Sequence, residues 1–144
     1  LRLVAEDLAK SIARDGEGAT KLIEVEVDGA VSDEEARKIA KTVVGSPLVK
    51  TAVFGCDANW GRIICAVGYS GATIDPEKIT IKIGGATMVE NGEPIKFSEA
   101  ELIEILKQHE VKIYVSLGVG AGNGFAWGCD LTYDYVQINA SYRS

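Results

Sequence analysis

The spacing of apolar residues changes several times along this chain, and each change predicts a different element. Residues 1–12 carry apolar side chains every three or four positions, which predicts an amphipathic helix that ends near Gly16. From Lys21 the period becomes two, because apolar side chains alternate with glutamates until Asp28 and Gly29. That alternation predicts a strand with one face in water.

Two capping boxes predict the starts of two further helices. Ser32 is followed three residues later by Glu35, and Ser98 by Glu101. At this spacing a serine side chain satisfies a free N–H group of the first helical turn. The inward faces of these helices are predicted to carry Ala36, Ile39, Ala40 and Val43 in the first, and Leu102, Ile103, Ile105 and Leu106 in the second.

The middle of the chain gives mixed signals. Residues 48–54 include several β-branched side chains, but Pro47 favours a helix start, and we favour a short helix there. Residues 55–61 are predicted to form a loop. Arg62 to Tyr69 are apolar at most positions, which predicts a central strand that is buried on both faces.

Short strands are predicted for most of the remaining chain. Asn91 and Gly92 give the strongest hairpin signal. The other predicted strands are Ile79 to Ile83, Ala86 to Val89, Pro94 to Phe97, Val111 to Leu117, and a last one through Trp127 and Cys129. Strands that pair by hairpins, with helices between them, indicate an α+β fold: a layered α/β sandwich with a mixed, largely antiparallel sheet.

Composition narrows the class of protein. The chain has 144 residues, 47% of them hydrophobic and 25% charged, which suits one globular unit; a sub-boundary near residues 20–30 is left open. A net charge of -6 without a basic block argues against a nucleic-acid partner. No apolar run is long enough to cross a bilayer. Because the chain does not begin with Met, we expect that residue 1 is not the natural start.

The reactive side chains are few. Cys56, Cys65 and Cys129 never form a Cys-x-x-Cys pair, so neither a disulfide framework nor a zinc site is predicted, and small core residues are the simpler interpretation. His109 is the only histidine, and we expect it to be exposed. Acyl-transfer chemistry would therefore need another general base.

The glycine-rich run from Gly118 to Gly124 follows a strand, as a phosphate-binding loop would. Its spacing is not Gly-x-Gly-x-x-Gly, and a strand pattern rather than a helix comes after it. A dinucleotide site needs a helix N-terminus at that place. We therefore predict a wide, flexible turn between two strands.

Two loops contain candidate binding residues. Glu17 lies between two glycines, where the backbone can approach a ligand, although a helix cap with a solvated glutamate explains the same residues. The second loop is expected either to bind a ligand or to seal an interface, or else only to cap a turn and cover the core. Its candidate residues are Asp57, Asn59, Trp60 and Arg62.

Three stretches of this chain resemble the ornithine acetyltransferase family. They are Asp15 to Lys21, Gly55 to Ile63 and Gly128 to Tyr142, in this order and near the expected separations. The resemblance covers essentially the whole chain. It implies an enzyme that transfers the acetyl group of N-acetylornithine to glutamate in arginine biosynthesis, and it identifies this chain as the C-terminal part of the β chain.

The resemblance also implies how the complete enzyme works. A precursor cleaves itself before a threonine, which becomes the N-terminal nucleophile of the β chain and can use its own α-amino group as base. We expect that threonine upstream of residue 1 and the oxyanion hole on a separate α chain, within a heterotetramer of two α and two β chains. No metal or cofactor is expected, and acetyl-CoA as a further co-substrate is left open.

Residue by residue, the resemblance implies substrate binding by Glu17, Asn139 and Ser144. The family usually ends in threonine at the last of these positions, and both residues supply a hydroxyl. A carboxylate at Glu17 suits the ammonium groups of ornithine, whereas the amide and the hydroxyl suit a substrate carboxylate. The expected location is the cytoplasm, or the mitochondrial matrix in a eukaryote.

Two other functions fit these residues. One is a non-catalytic module that binds amino acids, and the other is a peptidase-like relative that shares the self-cleaving threonine. A cleavage junction in the precursor would exclude the first, and acetyl transfer without peptide hydrolysis would exclude the second.

Overall fold

Helices cover one face of a mixed sheet in residues 21–130, which are the residues that this computed structural model describes. The strands are β1 (Leu22–Ala30), β2 (Thr80–Ile83), β3 (Ala86–Glu90), β4 (Glu93–Pro94), β5 (Glu110–Ser116) and β6 (Gly122–Cys129). The helices are α1 (Asp33–Gly45), α2 (Pro47–Phe54), α3 (Trp60–Tyr69) and α4 (Glu99–Leu106), with a 3₁₀ turn at Pro76–Lys78. The helix predicted for residues 1–16 lies outside the described residues.

The described strands form one sheet in the order β4-β3-β2-β5-β1-β6. β1 and β5 run parallel, and the other neighbours run antiparallel. The predicted α+β sandwich with a mixed, largely antiparallel sheet is therefore confirmed. The sub-boundary near residues 20–30 stays a prediction.

One face of the sheet is apolar because alternate residues of its strands point toward the helices. The buried residues of this face are Ile23, Val25 and Val27 from β1, Ile81 and Ile83 from β2, and Val111, Ile113 and Val115 from β5. The helices add Ile39, Val43, Val49, Ile63, Leu102 and Leu106 to the same core. No helix among the described residues is long and apolar enough to span a membrane.

The other face of the sheet carries a network of polar side chains. Lys112 Nζ lies 2.9 Å from Glu26 Oε2, and this hydrogen bond raises the pKa of Lys112. The Tyr114 hydroxyl donates to the Asp28 carboxylate. Burial, followed by that hydrogen bond, raises the pKa of Tyr114. Lys82 Nζ lies 5.6 Å from the centre of the Tyr114 ring.

Three helices begin as the sequence predicts. Ser32 Oγ accepts a hydrogen bond from Glu35 N at 3.2 Å, and Ser98 Oγ accepts one from Glu101 N at 3.3 Å. The ambiguous segment is a helix, because Ser46 Oγ caps it in the same way and Pro47 occupies its first turn. One detail differs: Ile103 was predicted to face inward, but it is 39% exposed at the surface of α4.

The predicted central strand from Arg62 to Tyr69 is wrong, because this segment belongs to helix α3. Its buried residues Ile63, Ala66 and Val67 follow helical spacing, whereas Tyr69 is 89% exposed. The run looked buried on both faces because its outer face is also apolar. Cys65 lies on that outer face, which contradicts the expectation that it is a core residue.

The glycine-rich run is also different from the predicted flexible turn, because β6 begins within it at Gly122. An added Cβ would lie 2.2 Å from the carbonyl carbon of Ser32 at Gly122, and 2.8 Å from Arg37 N at Gly124. Glycine at these positions therefore lets α1 lie directly on the edge strand.

The predicted hairpin is confirmed, but the strand after it is shorter than predicted. Asn91 and Gly92 have φ angles of 49° and 79°, as a two-residue turn with two left-handed positions requires. β4 contains only two residues, so the strand predicted for Pro94 to Phe97 is wrong. Pro94 cannot donate a ladder hydrogen bond, which keeps this strand at the edge, and Phe97 packs partly against the core.

Candidate functional site

The described parts of the three family-like stretches meet at one corner of the fold. Lys21 ends the first stretch, Cys56 belongs to the second, and Asp130 belongs to the third. Lys21 N donates to Asp130 Oδ1 at 2.9 Å, and Asp130 N donates to the Lys21 carbonyl oxygen at 3.2 Å. Asp130 is 1% exposed, so its carboxylate holds the start of β1 and the end of β6 together in a buried environment.

The Lys21 ammonium connects this corner to the C-terminal end of α2. Its Nζ donates to the Val53 carbonyl oxygen at 2.9 Å and to Cys56 Sγ at 3.3 Å. The last carbonyl groups of a helix lack partners within it, and the helix dipole favours a cation there. The last turn of α2 has no basic residue of its own, so a lysine distant in sequence supplies the charge.

Cys56 has an unusual backbone for its residue type, with a φ angle of 54°. It follows the C-cap Gly55; Cys56 N donates to Val53 O at 3.1 Å, and Asp57 N donates to Ala52 O at 2.8 Å. These two bonds form a Schellman motif, in which the left-handed position is usually glycine. Here the position has a side chain, and that side chain contacts Lys21.

The four candidate residues lie together, and each has a structural contact. The predicted loop of residues 55–61 is shorter than expected, because Asn59 caps α3 and Trp60 and Arg62 lie in its first turn. Asn59 Oδ1 accepts from Arg62 N at 3.2 Å and so caps α3, and Asn59 Nδ2 donates to Asp57 Oδ2 at 3.2 Å. Arg62 donates to the Leu48 carbonyl oxygen at 2.9 Å, which ties α3 to α2. Trp60 packs partly against the core. A binding role for these residues stays a prediction.

A cavity of about 160 Å³ lies beside this loop, between it and α4. Its lining residues are Cys56, Asp57, Ala58, Phe97, Glu99, Leu102 and Ile103. Two carboxylates over an apolar wall could accept a small cation with an aliphatic stem. No group of side chains suited to a metal ion occurs within residues 21–130.

A larger groove of about 350 Å³ lies where α1 ends, α2 begins and α3 passes. Leu48 and Tyr69 line it and are 60% and 89% exposed. Its lining is mainly apolar, with Arg62 as the charged member. The groove therefore offers contact area rather than chemistry.

The substrate-binding residues expected from the family resemblance lie outside the described residues. Glu17 precedes Lys21 by four positions, and Asn139 and Ser144 follow Asp130. The structure thus describes the places where these segments join the sheet and not the segments themselves. Their roles stay predictions.

Sequence reasoning missed Lys21 and Asp130 as a connection between the stretches. One signal was available, since Lys21 stands two positions before Ile23 in an alternating strand and so shares the buried side. A lysine at such a position needs a polar partner. Which carbonyl groups supply it depends on tertiary structure.

Comparisons with known proteins agree on one family. The profile of the ArgJ family matches residues 1–144. The chain is 63% identical over 144 residues to the arginine biosynthesis bifunctional protein ArgJ of Geobacillus kaustophilus, covering 100% of this chain and 35% of that protein. It is 57% identical to the protein of the same name from Bacillus subtilis, covering 100% and 36%.

A solved structure has the same fold. The crystal structure of the arginine biosynthesis bifunctional protein argJ from Bacillus halodurans matches with a TM-score of 0.95 at 61% identity, covering 98% of this chain and 67% of that one. This chain thus spans about a third of the length of the curated relatives. The matches do not confirm that the matched part is C-terminal, which stays a prediction.

Proposed function

This chain belongs to the ArgJ family, and on that premise we propose that it is part of an enzyme that transfers the acetyl group of N-acetylornithine to glutamate. The observation that carries the proposal is the corner where Lys21, Cys56 and Asp130 join the three family-like stretches. Stretches far apart in sequence need not meet in a fold. Their meeting at one place is what a shared substrate site requires.

The proposed reaction has two steps on one threonine that lies upstream of residue 1. The threonine hydroxyl attacks the acetyl carbonyl of N-acetylornithine, its proton passes to the α-amino group of the same residue, and ornithine leaves with that proton on its amine. The acetyl group then remains on the threonine as an ester. The amine of glutamate attacks this ester, which releases N-acetylglutamate and restores the hydroxyl.

In this mechanism the present chain binds substrate and does not supply the nucleophile. Glu17 pairs with a substrate ammonium, and Asn139 and Ser144 bind a substrate carboxylate. An oxyanion hole on a separate α chain stabilises the tetrahedral intermediates. The relatives are named bifunctional, which supports a second reaction. Acetyl-CoA as a further acetyl donor is left open.

The lengths of the relatives support a protein made of two chains. This chain covers 67% of the crystallised chain but 35% of curated relatives, so the crystallised chain is roughly half as long as those proteins. A precursor that is cut into α and β chains accounts for that difference. We propose a heterotetramer of two of each, in the cytoplasm of a bacterial cell.

The test is Glu17→Gln in the full-length precursor. Losing one charge-assisted contact to a substrate ammonium in a closed site costs on the order of 2 to 4 kcal/mol, so kcat/KM for N-acetylornithine should fall by roughly two to three orders of magnitude. Self-cleavage and the melting temperature should stay unchanged, because the substitution keeps the shape of the side chain.

Glu34→Gln is a matched control, because Glu34 is exposed in the first turn of α1. It should leave transfer unchanged. Unchanged kinetics in Glu17→Gln would support the helix-cap alternative for that loop. If the wild-type precursor transfers no acetyl group but binds an amino acid, the non-catalytic binding module replaces the proposed function. If it hydrolyses peptides instead, the peptidase-like alternative replaces it.

A further inference from the structure

The backbone of Cys56 indicates that its side chain has a use beyond ending α2. A left-handed residue with a Cβ is strained, and glycine at the same position would satisfy the same two Schellman hydrogen bonds without that strain. Residues that keep such strain concentrate where the side chain is needed for function. The contact of the Cys56 side chain is with Lys21, at 3.3 Å from Sγ to Nζ.

Lys21 is held by both its side chain and its main chain. The ammonium is fixed on the end of α2 by Val53 and Cys56, and the main chain is fixed by Asp130. Because a carbonyl oxygen and a sulfur both accept from the ammonium, its orientation is fixed as well as its position. The backbone that enters β1 is therefore held in one orientation.

We propose that the contact between Cys56 and Lys21 is a positioning contact for the substrate site. Of the described residues, Lys21 is the one closest to Glu17 in the sequence, four positions away. Small errors in the placement of a binding group weaken catalysis strongly, because the bound geometry must approach that of the transition state. This role rests on the proposed function, and it makes Cys56 and Lys21 positioning residues that touch no substrate.

The decisive variant is Cys56→Gly in the full-length precursor. Removing the Cβ relieves the left-handed backbone, so the melting temperature should stay the same or rise slightly. Removing the sulfur takes away one of the two described acceptors of the Lys21 ammonium and leaves the Val53 carbonyl, so its orientation is no longer fixed. KM for N-acetylornithine should therefore rise about tenfold, with a smaller change in kcat. If Cys56 only ended the helix, the substitution would leave the melting temperature the same or slightly higher and would not change KM.

Asn91→Gly is the matched control. Asn91 is the other described residue outside glycine with a positive φ angle, 49°, and it lies in the hairpin between β3 and β4. The same relief of backbone strain there should leave KM unchanged. Cys56→Ser keeps a hydrogen-bond acceptor for Lys21 and should restore KM to within about twofold of the wild type. Lys21→Met should raise KM as Cys56→Gly does.

A double mutant tests whether the contact acts through Glu17. If it does, Cys56→Gly should change kcat/KM by less than about twofold once Glu17 is already Gln, because coupled residues are not additive. Independent effects of the two substitutions would overturn the proposal, as would a wild-type KM in Cys56→Gly or an equal rise in Asn91→Gly. Wild-type precursor without acetyl transfer would overturn the proposed function itself, and the positioning role with it.

Discussion

The two faces of the sheet are made by the same strands but are held by different physics. On the helix side, alternate residues of β1, β2 and β5 are fully buried, and Gly122 and Gly124 of β6 lie in backbone contact with α1. On the other side, an ion pair and a hydrogen bond join β5 to β1. On the helix side, the space between side chains limits which residues fit. On the other side, the pairing of charged and polar groups does.

This difference determines how each face responds to substitution. Close packing leaves no room for even one added methyl group, so such a group must displace the helix from the strand. A surface ion pair is solvated in both its formed and broken states, so its loss changes little. The side chains of Lys112 and Glu26 are 52% and 26% exposed, so theirs is a surface ion pair of this kind.

The largest effect is expected from Gly122→Ala. The new Cβ would lie 2.2 Å from the carbonyl carbon of Ser32, at the start of α1, so the helix must shift on the edge strand. The unfolding free energy should fall by about 3 kcal/mol, measured by chemical denaturation. Gly68→Ala is the matched control: no atom lies within 4 Å of its added Cβ in α3, and it should stabilise by up to about 1 kcal/mol. Equal effects of the two substitutions would contradict the packing argument.

A medium effect is expected from Tyr114→Phe, which removes the hydrogen bond to Asp28. The loss should be about 1 kcal/mol at neutral pH. The folded pKa of Tyr114 is raised above its ordinary value of 10.0, so folding favours the protonated hydroxyl. Its contribution is complete below pH 10 and is lost as the pH rises through the folded pKa. The difference in stability between wild type and variant should therefore shrink above pH 10; a constant difference would be evidence against this titration.

The smallest effect is expected from Lys112→Met. The pair with Glu26 should contribute about 0.2 to 1 kcal/mol in a double-mutant cycle with Glu26→Gln, and less at high salt. Because this pairing raises the pKa of Lys112 above its ordinary value of 10.5, its contribution is complete below pH 10.5 and is lost as the pH rises through the folded pKa. A coupling energy as large as the loss in Gly122→Ala would show that the polar face is more tightly constrained than its exposure suggests.

The sequence predicted those elements whose signal is local. Alternation in β1, the serine caps at Ser32, Ser46 and Ser98, and the turn at Asn91 each depend on residues within a few positions of one another. Local propensity and the final fold agree there, so these predictions are confirmed. The fold class followed from their order along the chain.

The wrong predictions fell where distant contacts decide the structure. α3 has apolar residues on its outer side, including Cys65 and Tyr69, so its pattern could not be distinguished from a buried strand. The glycines of β6 fit the surface of α1, which no local pattern reveals.

The candidate site shows the same limit. The stretch around Lys21 stood out by its resemblance to a family, but its lysine meets Cys56 and Asp130 only through the fold. The positive φ angle of Cys56 is a consequence of the Schellman motif, and no glycine marked it in the sequence. Spacing could identify the stretches, whereas their connection required the tertiary structure.

The order of the strands has a consequence for biosynthesis. Of the described strands β1 is made first, but Leu22 pairs with Glu110 of β5 and with Cys129 of β6, which are the last two described strands to be made. At typical synthesis rates the strand waits roughly 5 to 20 seconds for a partner, and an unpaired apolar strand is prone to aggregate during that time. The acidic side chains of Glu24, Glu26 and Asp28 alternate with its valines and isoleucine. They repel other nascent chains, and β1 thus carries its own protection against misassembly until its neighbours have been synthesised.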